Sequence, residues 1–137
     1  MACLRRRFAR CCLVCAVILC SIAPALASEQ TFPFDREMML DAAPMPGSKR
    51  VPILEIETSG AASIDLWCAS VRGQADINAD SITIVAGPAD APKCAPDRQT
   101  RDADLLAGLA QVTNWRRRGD VIELFGATTL RFRLMTN

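Results

Sequence analysis

The sequence predicts an α+β fold: a small, mostly antiparallel β domain with one main α-helix. Three observations predict it. Apolar and polar residues alternate through short runs between Val51 and Val85, as in half-buried strands. Leu105, Leu106, Leu109 and Val112 recur instead at helical spacing. The tail from Asn114 carries two turn signals between alternating runs, the pattern of consecutive hairpins.

The first residues stand apart from that fold. Arg5, Arg6, Arg7 and Arg10 precede an apolar run from Cys11 to Ile22, and Pro24-Ala25-Leu26-Ala27 ends it with small residues at the cleavage positions. This is the grammar of a secretory signal peptide, residues 1–27, with cleavage expected after Ala27. The run is short for a membrane span, so no transmembrane helix is expected in the mature chain. A lipoprotein signal is the alternative; Leu19 before Cys20 is larger than the residue a lipid-attachment site wants. The expected location is the periplasm or the exterior. About 110 residues remain, enough for one small domain.

Residues 28–50 read as an N-terminal extension. Phe32, Phe34, Met38, Met39 and Leu40 give it an apolar side, and Pro44, Pro46 and Gly47 mark a turn. The domain proper is read as residues 51–137. Val51, Ile53, Leu54 and Ile56 favour a strand, with Pro52 at its beginning or on an edge. Ser59-Gly60 turns the chain. Ile64, Leu66 and Cys68 then share one face of a strand, with Asp65 and Trp67 on the other. That parity puts Cys68 toward the core and Trp67 outward. Two more strands flank Asn78-Ala79-Asp80, the second alternating Ile82 and Ile84 with Thr83 and Val85.

Pro88, Pro92 and Pro96 make a loop that holds Cys94. The helix follows, with Asp97 or Thr100 as its cap and Asp102 and Asp104 in its first turns, where the dipole favours negative charge. In the tail, Gly119-Asp120 resembles a two-residue hairpin loop. It pairs Arg118 with Val121, Arg116 with Glu123 and Trp115 with Leu124. A second loop at Gly126 to Thr128 sets Ile122 opposite Phe132, Leu124 opposite Leu130 and Glu123 opposite Arg131. Glu123 then sits between Arg116 and Arg131, a pattern typical of a solvated sheet face. Each such cross-strand pair is worth roughly 0.2–1 kcal/mol.

Composition excludes several chemistries. There is no histidine and no tyrosine, which removes Ser-His-Asp and Cys-His catalysis and every zinc site that needs imidazole. The glycines are scattered and form no phosphate loop. No carboxylate pair is marked out by spacing. No catalytic, cofactor-binding or metal-binding residues are therefore assigned, and no cofactor is expected. The sixteen basic residues include the four leader arginines, leaving twelve against fifteen acidic ones. This balance does not call for nucleic acid.

Five of the seven cysteines lie in the leader, leaving Cys68 and Cys94. Two thiols cannot close a four-thiolate site, and 26 positions between them exclude a C-x-x-C motif. In an oxidising compartment they are expected to form one disulfide. Closing that loop is worth about 3.5 kcal/mol on the chain-entropy model. The alternative is a reactive Cys94, beside Lys93 and a helix start.

The order of parts carries a resemblance. A strand ending in Cys68, Gly73 a few places on, the strand Ser81-Ile82-Thr83-Ile84, a loop cysteine, a helix with paired leucines and the closing "DVIELFG…TLRFR" hairpin resemble the META domain of the HslJ-like family. The similarity runs from Val51 to Leu134. The family commonly has Gly-Cys-Asn where this chain has Trp67-Cys68-Ala69, and Thr and Ala where it has Pro92 and Lys93. The resemblance implies a small, mostly β domain with a helix. It also implies a bacterial envelope protein, in some members a lipoprotein, tied to heat-shock or antibiotic stress, with no agreed enzymatic activity.

The functional expectation is a non-enzymatic envelope protein that binds an envelope protein or an anionic envelope component. Its candidate contact surface is Arg116, Arg118, Arg131 and Arg133 together with Trp67, which strand parity turns outward; the alternative is that a second layer, the helix or the N-terminal section, covers Trp67, as large aromatics are usually well buried. The alternatives are a small-ligand-binding β domain and a thiol-dependent or carboxylate-based enzyme.

Overall fold

The computed structural model describes residues 31–90 and 93–136. The signal peptide read at residues 1–27 lies outside them, as does Pro92. The described chain forms β1 (Met38–Leu40), β2 (Ile53–Ile56), β3 (Ala61–Asp65), β4 (Ser70–Asn78), β5 (Ser81–Asp90), α1 (Pro96–Leu109), β6 (Val112–Arg118), β7 (Val121–Gly126) and β8 (Thr129–Leu134). Each strand pairs antiparallel with the next, and β1 pairs with β8 to close a barrel. The predicted class is thereby corrected. The described residues form an eight-stranded β-barrel with one 14-residue helix, not an α+β fold in which helix and sheet share the architecture. Closure rests on Met38, Met39 and Leu40, which pair with Leu134, Arg133 and Phe132. Residues read as an extension thus supply a barrel strand.

Period-two alternation turns one face of each strand inward. Met38, Leu54, Ile56, Ile64, Ile82, Ile122, Leu124 and Phe132 form the centre of the core. Both ends are closed by apolar side chains. At one end Phe32 meets the Trp115 ring edge-on, centroids 5.0 Å apart, and Phe34 lies against Phe32 at the same separation. At the other end α1 connects β5 to β6 and buries Leu105 and Leu109 in the core. The β5–β6 ladder has a single register pair, Ser81 with Asn114, helped by the Trp115 N–H donating to Asp80 O at 2.8 Å.

Gly73 sits at a register shift between β4 and β5, where a Cβ would strike the Val85 carbonyl oxygen. The site accepts only glycine without backbone movement.

Both tail hairpins adopt the expected registers. Arg118 faces Val121, Arg116 faces Glu123 and Trp115 faces Leu124; Ile122 faces Phe132, Glu123 faces Arg131 and Leu124 faces Leu130. The helix differs from expectation at both ends. Its N-cap is Ala95, Pro96 opens its first turn, and neither Asp97 nor Thr100 caps it with a side-chain hydrogen bond. It ends at Leu109, and Val112 begins β6. Among the described residues, no helix is long and apolar enough to cross a membrane.

Candidate functional site

The chain between β3 and β4 is a tight bend, Leu66 to Ala69, all four residues buried. A bend exposes successive backbone N–H groups on one side, and buried N–H groups need acceptors. Asp102 supplies them. Its carboxylate, only 6% exposed, accepts the N–H of Trp67 at 3.0 Å, of Cys68 at 3.2 Å and of Ala69 at 2.9 Å. Charge-assisted bonds of this kind are the stronger ones. The acid belongs to α1, on the same stripe as Leu105 and Leu109, so helix packing fixes its position. Sequence reasoning placed Asp102 only as a dipole partner. An acid at the head of a buried leucine stripe was the available signal.

The bend is gripped twice. Cys68 and Cys94 lie at disulfide-bonding distance, with Cα atoms 6.1 Å apart, within the usual span for a bridge. Cys68 is in the bend rather than on a strand, because β3 ends at Asp65. Arg50 donates to Cys68 O at 3.5 Å. At the head of α1, Gln99 Nε2 donates to Cys94 O at 3.0 Å, and Arg98 reaches Gly47 O at 2.8 Å.

The same break in alternation relocates Trp67. Its side chain is 7% exposed and belongs to the core, so the outward position expected from strand parity is corrected. Its indole N–H has no hydrogen-bond partner among the described residues.

Beside the bend a cavity of about 400 Å³ opens between it, α1 and the end of β5. Leu66, Ala69, Ala89, Ala103 and Leu106 make its walls, with Lys93 and Gln99 at hand as polar groups. Asp102 also borders it, with its oxygens engaged by the bend.

The arginines form a separate surface on the outer faces of β6 and β8. Arg116 and Arg131 both pair with Glu123, the first through a short Nε–Oε2 contact and the second at 3.6 Å. Hydrogen bonding to Arg116, then the nearby charges of Arg116, Arg118 and Arg131, hold the Glu123 carboxyl below its ordinary value against the opposing effect of burial. Arg133 pairs with Asp41 at 3.4 Å. Arg118 is exposed beside Val121. Arg116 also lies over the Phe125 ring, 5.4 Å from its centre. The four expected arginines are therefore neighbours, partly neutralised by two acids. They lie in a different region from Trp67.

A family model described as the META domain matches residues 35–136. The NMR structure of a protein from Burkholderia xenovorans is similar in fold, with a TM-score of 0.61 at 19% sequence identity. The match covers 76% of this chain and 84% of that one. No curated protein matches the chain.

Proposed function

The chain belongs to the META domain family, and on that footing we propose that it is a non-enzymatic, exported barrel of the cell envelope that binds a partner or braces the envelope under stress. The observation that carries the reading is the Cys68–Cys94 pair. A bridge between a core bend and the head of the only described helix suits an oxidising compartment, where disulfides persist. The leader grammar of residues 1–27 and the finer resemblance to HslJ-like envelope proteins point the same way. A thiol enzyme is disfavoured: Cys68 is buried and spent on Cys94, whereas a nucleophile needs an accessible thiolate.

The partner surface of this reading is the arginine face, Arg116, Arg118, Arg131 and Arg133, directed at an anionic envelope component. Trp67 leaves the surface, since it is buried. The test is expression of the full chain in a bacterial host, followed by fractionation and sedimentation with vesicles. The expected product is a periplasmic chain beginning at Ser28, without lipid. It should sediment with anionic vesicles more than with zwitterionic ones, and lose that preference when the four arginines become glutamines. A cytoplasmic, uncleaved chain would refute export. Equal sedimentation with both vesicles would refute the arginine surface.

A second reading, a small-ligand-binding β domain, is favoured by one observation: the cavity beside the bend. Its size falls in the range of about 300–1,000 Å³ typical of small-molecule sites.

A further inference from the structure

We propose that the cavity between α1 and the 66–69 bend takes a small amphiphile with one carboxylate and a short alkyl chain. The inference rests on the ligand-binding reading and names its ligand class. Three features select that chemistry. The walls are apolar, and three of them, Ala69, Ala89 and Ala103, are alanines that leave space for an alkyl chain. The acid in the lining, Asp102, is consumed by three backbone N–H groups, so its oxygens are committed to the bend. The remaining charged group is the Lys93 ammonium, exposed and without an ion pair among the described residues.

An apolar wall alone would accept any alkyl compound. The charge decides the head group. At the mouth, where Lys93 is exposed and the Asp102 charge lies buried under three N–H donors, a carboxylate gains from the ammonium while its chain leaves water, whereas an ammonium head meets a like charge. Lys93 is one residue from Cys94, so the disulfide holds the cation near the bend that forms the opposite wall.

The experiment is a titration of the purified oxidised protein with octanoate, octan-1-ol and octylammonium, followed by amide chemical shifts. Saturable shifts from octanoate are expected at Ala69, Ala103 and Leu106, with octylammonium binding about tenfold more weakly or less. Lys93→Gln should weaken octanoate about three- to fivefold, the scale of an exposed ion pair, and leave octanol unchanged. Lys93→Arg should restore octanoate. Ala103→Phe, at an exposed helix position, should abolish binding of both; if that variant fails to fold, the Lys93 pair still decides. Octanol and octylammonium binding as tightly as octanoate would overturn the carboxylate class while leaving a ligand-binding cavity. Shifts elsewhere, or none from any of the three compounds, would overturn both.

Discussion

Asp102 accepts the backbone N–H of Ala69 at 2.9 Å across 33 positions of sequence, and the same carboxylate holds the N–H groups of Trp67 and Cys68. One helical side chain thus satisfies a buried bend that no strand ladder reaches. Replacing it strands three donors at once. Asp102→Ala is expected to lower unfolding free energy by about 3 kcal/mol, given the usual cost of leaving buried polar groups unpaired. Asp102→Asn should also destabilise, since one of its two polar atoms becomes a donor facing donors. Urea denaturation of the oxidised variants checks this; a change below about 0.5 kcal/mol, the level of an ordinary surface substitution, would contradict it.

The cysteines should behave as one unit. Cys68→Ala, Cys94→Ala and the double variant are each expected to lose a similar amount, about 3.5 kcal/mol on the chain-entropy model. Denaturation of the three proteins side by side measures it. Losses that add in the double variant would mean that the sulfurs act separately.

Trp67 is a core residue whose indole N–H has no hydrogen-bond partner among the described residues. Trp67→Phe keeps most of the apolar bulk and removes that donor, so its cost should stay near or below about 1 kcal/mol. Trp67→Ala should cost about 3–5 kcal/mol through the cavity it leaves. Thermal or urea melts distinguish the two. A mild Trp67→Ala would return the ring to the surface.

Glu123 titrates below its ordinary value of 4.5, chiefly through its hydrogen bond to Arg116. A folded-state value below the unfolded one stabilises the protein above the unfolded value. That contribution is lost as pH falls through the folded value. The difference in urea midpoint between the native protein and Glu123→Gln should therefore be largest near neutrality and shrink below about pH 4.5. Asp35 is lowered in the same direction, first by the hydroxyl of Thr58 and then by its backbone N–H, and adds to the same acid slope. A midpoint difference independent of pH would contradict the assignment to Glu123.

What the sequence revealed follows from how far apart the partners lie. The tail hairpins were legible because turn and partner strands are adjacent: Gly119-Asp120 sets the Arg116–Glu123 register within eight residues. Closure of the barrel was not. It pairs Met38 with Leu134, residues separated by most of the domain, through a three-residue strand of Met, Met and Leu. These residues carry little of the β-branched or aromatic signal of a strand. Trp67 was misplaced for a local reason. The alternation of Ile64, Leu66 and Cys68 continues in sequence after β3 has ended, so parity no longer reports which face is buried. The cavity depends on the meeting of α1, the bend and the end of β5, and no one segment encodes it.

The most direct test of the tie between bend and helix is a tryptic digest of the protein purified without reductant and alkylated without reduction. The expected product is the peptide of residues 51–72 covalently joined to that of residues 94–98, with both released on reduction. Recovery of the two peptides apart, each carrying an alkylated cysteine, would contradict it.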